Sequence, residues 1–253
     1  MSLKTLMTLA GGAAILLSAN VFSHAAELKI SGAAAVAGAI VMPNKAAIEK
    51  ASGLTPNITV NGDGNGVKDL YAGKVDIAMI AARIKITEAA LNKAAPGSVS
   101  VDGFEVATIG AISIKFIVNA ANPVKSLTEA QLKDIFTGKI TSWKDVGGAD
   151  QPILVVAEAV GFGTRSNIVA SFLGGAEITE KARIMQALAQ VSQVVGQAPT
   201  AIGYGNASTI ASAVVVIPGV EVKQVLGLAT KGAPGEDAKK LIEATAKFGL
   251  AVN

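Results

Sequence analysis

The chain has 253 residues, a formal net charge of +3, 51% hydrophobic residues and 4% aromatic ones. That length suffices for one large or two small domains with real cores, and a near-neutral charge with scattered lysines excludes the basic stripe that nucleic-acid binding needs. There is no cysteine and the single histidine is His24, which excludes disulfides, thiol nucleophiles, His-dependent triads and His or Cys metal sites from everything beyond residue 26.

Residues 1–26 read as a cleaved export signal. Lys4 supplies the positive start, Leu9 to Leu17 a short apolar run, and Ser23-His24-Ala25 or His24-Ala25-Ala26 a small-residue cleavage site. The apolar run is too short to span a bilayer comfortably, so no membrane span is expected after cleavage, and the expected location is the periplasm. Without Lys4 the chain carries 21 basic residues against 19 acidic ones.

Short apolar strands then alternate with amphipathic helices, the pattern of α/β layers. Strands are expected over 28–30, 57–60 and 75–80. Helices are expected over 36–51 and 67–71, and from Thr87, as an N-cap, to Lys93. A long β-rich stretch covers 104–118. A helix over 128–136 is capped by Ser126 or Thr128. A strand over 153–156 runs into Gly161-Phe162-Gly163-Thr164 and a helix ending at Leu173. Residues 178–191 read as helix, 201–204, 213–217 and 220–225 as strands, and 236–248 as a closing helix ended by Gly249.

Three strands feed turns rich in glycine or small residues that open helices, at 31–35, 61–66 and 161–164. Such turns leave backbone N–H groups free at the positive end of a helix, and in open α/β sheets they gather where ligands bind. Each turn alone reads better as an ordinary tight connection. Asn61-Gly62-Asp63-Gly64-Asn65-Gly66 imitates a calcium loop, but its twelfth position is Ala72, where a bidentate Glu is needed. Neither a dinucleotide fingerprint nor a phosphate-loop lysine motif is present, and no cofactor or metal is expected. Arg83 and Arg165 are candidate anion clamps or surface and interlobe ion-pair residues. Thr164 is a helix cap whose hydroxyl could also face a ligand, and Trp143 reads as a packing residue.

SLTEAQLKDIFTGKITSWKDVGG over 126–148, the VVAEAVGFGTRS segment, AIGYGN and VDIAMIAARI resemble the periplasmic phosphate-binding proteins of ABC transporters. The resemblance runs from Leu28 to about Val225. It implies an α/β fold of the type II periplasmic-binding-protein kind: two lobes, each a mixed sheet flanked by helices, joined by crossover strands. Lobe one would comprise 27–106 and 204–253, lobe two 107–203. The implied function is capture of a small-molecule ligand between the lobes for an ABC permease, without covalent chemistry.

Carried over residue by residue, the resemblance places Ser31, Gly32 and Ala33 on the first turn, and Asp63 and Gly64 on the second. Arg83 lies on the turn after the third strand, and Glu158, Phe162, Gly163, Thr164 and Arg165 lie around the fourth turn, the one over 161–164. Several of these depart from the family pattern. Alanines 33–35 stand where hydroxyls are usual, Ala81 where an acidic acceptor is usual, Glu158 where an arginine clamps phosphate, and Phe162 where a serine stands. A carboxylate beside a dianion repels it, so the expected ligand is not ordinary phosphate. It would present a cationic or amide-like part to Glu158 and Asp63, with Arg83 and Arg165 partly neutralising them. Other readings are a true phosphate or oxyanion binder, a periplasmic sensor or partner protein that has lost transport, and, least supported, a hydrolase using Asp63 and Glu158.

Overall fold

In the computed structural model, which describes residues 27–252, eight strands form one sheet in the order β2-β1-β3-β8-β4-β7-β5-β6. The expected export signal lies outside the described residues. The strands are β1 (Lys29–Gly32), β2 (Asn57–Val60), β3 (Ile77–Ile80), β4 (Phe104–Asn119), β5 (Leu154–Glu158), β6 (Arg183–Met185), β7 (Ala201–Gly205) and β8 (Val214–Lys231). The helices are α1 (Ala34–Val36), α2 (Lys45–Ser52), α3 (Asp63–Tyr71), α4 (Ile84–Ala94), α5 (Glu129–Thr137), α6 (Gly163–Asn167), α7 (Leu188–Gln197) and α8 (Glu236–Ala246). Wider π turns extend α1 over Ala37–Val41 and α6 over Ile168–Phe172.

The two long central strands, β4 and β8, pair antiparallel from Phe104↔Lys231 to Asn119↔Val214 and run through both halves of the molecule. On one side β1, β2 and β3 are mutually parallel; on the other β5 is parallel to β6 and β7. Each half is covered on both faces, as strand alternation demands. In lobe one Ile77 and Met79 face a core with Val36, Ile40, Leu226 and Leu241, while Ala78 and Ile80 face another with Val67, Leu70 and Leu91. In lobe two Phe116 and Val118 join Phe136, Trp143 and Ile168, while Ile117 faces Val156, Val191 and Val195 on the opposite side. Tyr204, Ile217 and Val222 pack in the same core as Phe116 and Phe136.

Several elements differ from the expected ones. The helix expected over 36–51 is broken at Met42–Asn44, because Pro43 lacks an N–H and cannot continue a helical ladder. Helix α3 starts at Asp63, four residues early, since Gly62 turns the chain at φ 95°. Helix α4 starts at Ile84 with Arg83 as N-cap, which puts Thr87 inside it. The helix expected over 178–191 divides into β6 and α7, the edge strand β6 being formed by pairing to β5. The two strands expected over 213–225 are one, carried past exposed Pro218-Gly219 to Lys231 by its long partner β4. The 126–148 motif is structural. Thr128 and Gln131 form a reciprocal capping box on α5, Gly138 ends it in the left-handed conformation, and Trp143 donates its indole N–H to the Thr200 carbonyl at 2.9 Å.

Candidate functional site

The three turns meet in a cavity of about 370 Å³ between the lobes. Turn one contributes Ala33, Ala34 and Ala35, turn two Asn61, Gly62 and Asp63, and turn four Phe162, Gly163 and Thr164. Ala81, at the end of β3, and Glu158, at the end of β5, complete the floor. Parallel strands on each side of the sheet end toward the same gap, which is why turns 30 to 130 positions apart in the chain converge.

Asp63 is buried and fully engaged. One carboxylate oxygen accepts from the Ala81 N–H and the other from the Thr87 hydroxyl. Burial raises its carboxyl to about 6, against the lowering pull of those two donors. The Asp63 carboxyl also lies directly beneath Gly163: a Cβ there would come 3.0 Å from Asp63 Cγ. Glycine is therefore required at 163 by the close approach of the lobes.

Glu158 is 4% exposed, and its Oε2 is buried without a hydrogen-bond partner. Burial pushes its carboxyl up to about 8. The Thr164 hydroxyl and the charge and backbone amide of Arg165 pull the other way without prevailing, and Asp63 adds to the rise. The Tyr204 hydroxyl oxygen holds the backbone beneath it, accepting from the Glu158 N–H at 3.1 Å.

Arg165 does not reach this cavity. Its guanidinium donates to the Glu158 backbone carbonyl at 3.0 Å and lies 3.6 Å from Glu177. It lines a separate cavity of about 540 Å³ between α4 and α6 instead. Arg83 is exposed at the start of α4 and lines neither cavity, since a solvated N-cap position leaves its charge in water. The expected neutralisation of Glu158 and Asp63 by two arginines is therefore absent: Arg83 is turned to solvent and Arg165 only tempers Glu158 from behind.

Ser31 and Gly32 also stand outside the cavity. The Ser31 hydroxyl donates to Asp69 at 3.2 Å. Gly32, at φ 131°, packs so tightly on β3 that a Cβ would fall 2.2 Å from the Met79 carbonyl oxygen. The Ala33 N–H is spent on that same carbonyl at 2.9 Å. Gly64 serves as an interlobe contact, its N–H donating to the Gly161 carbonyl.

Six polar residues were not among the expected site residues: Asn61, Gln186, Asn206, Ser208 and Thr209 line the cavity, and Gln224 reaches it through Thr164. Asn206 ends the AIGYGN segment and turns the chain toward Ser208 and Thr209, which line the cavity with it. Its position directly after the quoted motif is the signal that marks it. Gln224, fully buried on β8, donates to the Ala81 carbonyl and exchanges hydrogen bonds of 3.2–3.3 Å with the Thr164 hydroxyl. Nothing local in the sequence around 224 marks that role. Among the described residues no group of three or more His, Cys, Asp or Glu could hold a metal, and no helix is long and apolar enough to cross a membrane.

Two lobes on one sheet, two crossover strands and a cavity at the strand ends define a type II periplasmic-binding-protein fold. The chain belongs to the PBP superfamily domain family, whose pattern it matches over residues 20–249. It is 32% identical to the phosphate-binding protein PstS of Bacillus subtilis over 182 residues, covering 70% of this chain and 56% of that protein. The chain thus matches little more than half the length of that relative. A Clostridium perfringens chain, assigned to phosphate ABC transport as a substrate-binding protein and solved with bound phosphate, shares 27% identity at a TM-score of 0.71, over 86% of this chain and 92% of that one. An ABC-type phosphate transport receptor from Vibrio cholerae has the same fold, with a TM-score of 0.67 at 22% identity over 87% of this chain and 93% of that one.

Proposed function

We propose that this chain is an exported solute-binding protein serving an ABC permease, and that its ligand is not ordinary phosphate. Capture would occur by closure of the two lobes about β4 and β8, with no covalent step. Residues 1–26 would direct export, and N-terminal sequencing of the exported protein tests that directly. The lobes would divide within β4, near Ala107, and within β8, near Gln224.

One observation carries the ligand reading. The residues lining the cavity include Asp63 and Glu158 but no lysine or arginine. At neutral pH a dianion placed there meets the Asp63 carboxylate with no compensating cation, a repulsion on the order of a few kcal/mol at intermediate dielectric. A missing charge-assisted hydrogen bond removes roughly another 1.5–3 kcal/mol. Since about 1.4 kcal/mol is a factor of ten, these terms together remove several decades of affinity.

Isothermal titration of the purified protein with inorganic phosphate tests this reading. Weak or undetectable heat is expected at neutral pH. Sub-micromolar binding would overturn it.

A further inference from the structure

The chemistry of the cavity points to a class of ligand. Among the described residues, the buried side-chain nitrogen and oxygen atoms without a hydrogen-bond partner are Asn61 Oδ1 and Glu158 Oε2. Both are acceptors, and both residues line the interlobe cavity. A buried acceptor left unpaired is costly, and native structures rarely tolerate one without a purpose. The orientation of Asn61 is determined by its neighbour. Its Nδ2 donates to Asp69 Oδ2 at 2.9 Å, and turning the amide over would set oxygen against carboxylate oxygen. Asn61 therefore presents a carbonyl oxygen as its unsatisfied group.

The other charged or titratable groups around Glu158 do not complete it. Asp63, from α3, has both oxygens occupied by Ala81 and Thr87. Arg165, from α6, is directed to the Glu158 backbone carbonyl and to Glu177. Tyr204, from β7, is engaged with the Glu158 backbone amide, and burial holds its phenol protonated. Phe162 adds an aromatic side chain to the cavity lining, and an aromatic face attracts cations. The residues lining the cavity thus include two with unpaired acceptors closed off from water, one of them a carboxyl group, together with an aromatic ring and no positive charge.

We propose, building on the solute-binding reading above, that this cavity takes a small organic cation, an ammonium or amidinium compound, held by Glu158 and Asn61. Burial keeps the Glu158 carboxyl protonated near neutrality in the empty cavity. A bound cation stabilises the carboxylate, so the O–H bond of Glu158 breaks and its proton passes to solvent. For a monocation the charge of the cavity is unchanged, one positive charge entering as one proton leaves; a dication keeps its second charge toward solvent. The volume of about 370 Å³ lies at the small end of ligand pockets, which favours a compact ligand over a peptide.

The test is calorimetric titration of the whole protein with agmatine, putrescine and choline at neutral pH, in buffers of different ionisation enthalpy, beside inorganic phosphate. The expected result is saturable binding of at least one cation with net proton release at pH 7, as a buried carboxyl raised to about 8 implies. Glu158→Gln should abolish the proton release and weaken binding by about tenfold or more, while Asn61→Ala should weaken binding and keep the release. The wild-type proton count stands as the measurement if either variant fails to fold. Failure of all three cations to bind at millimolar concentration, or binding without proton release, would overturn the cation assignment. Silence from phosphate as well would leave the solute-binding reading standing. Tight phosphate binding with proton uptake would overturn both.

Discussion

The Gly64 N–H donates to the Gly161 carbonyl at 2.9 Å and so ties the second turn of lobe one to the fourth turn of lobe two. The contact leaves no room for a side chain. A Cβ at position 64 would lie 3.0 Å from the Gly161 oxygen and 2.9 Å from Leu91 Cδ2. Gly64→Ala should therefore shift the protein toward a more open arrangement while its two lobes stay folded. Small-angle scattering would register a larger radius of gyration; an unchanged radius would show that this contact does not hold the lobes together.

Gln224 joins the hinge to both lobes. It reaches Ala81 of lobe one and Thr164 of lobe two from a fully buried position on β8. Gln224→Leu keeps the volume but strands the Ala81 carbonyl and the Thr164 hydroxyl. Each unsatisfied buried group costs about 1–3 kcal/mol, so the midpoint of urea unfolding should fall clearly. An unmoved midpoint would mean that these groups find other partners.

Lys93 on α4 meets Glu177 of lobe two at 2.6 Å, with side chains 65% and 47% exposed. Exposure limits such a pair to about 1 kcal/mol or less, and salt screens it. Lys93→Ala should favour opening slightly at low ionic strength and not at all in concentrated salt. Fluorescence transfer between dyes on the two lobes measures this. A large effect that persists in high salt would show that Lys93 acts by packing and not by charge.

Asp63 and Glu158 set the pH dependence of stability. Their ordinary values lie near 4, and burial raises them to about 6 and about 8 in the folded protein. The folded state therefore holds protons that the unfolded chain releases, and stability from these groups declines with rising pH. The contribution is fully present below about pH 4 and is lost as pH climbs through about 6 for Asp63 and about 8 for Glu158. The decline should total on the order of a few kcal/mol. Glu158→Gln cannot ionise, so its melting temperature should vary less between neutral and mildly alkaline pH. If the variant follows the wild-type curve, another group is responsible.

Local signals carried much of the fold. The cap at Thr128 and the buried apolar run of β3 each act over a few residues, and both appear at or near their expected places. The elements that moved were those whose form depends on distant partners. Arg183–Met185 is a strand because β5 lies beside it, and β8 continues past Pro218-Gly219 because β4 supplies a long template. Thr87 reads locally as a helix cap, but the capping position falls on Arg83 and the Thr87 hydroxyl turns inward to Asp63.

The chain by itself determined an α/β architecture, the absence of thiol and imidazole chemistry after residue 26, and the unusual carboxyls at 63 and 158. The first two follow from composition and from patterns only a few residues long, and the third from the resemblance to the phosphate-binding family. Tertiary structure alone decided that Arg165 faces the rear of Glu158, that Arg83 faces water and that Gln224 bridges Ala81 and Thr164. Gln224 and Ala81 are 143 positions apart. Which way a side chain points across a cavity depends on how remote strands are paired, and no local propensity encodes that.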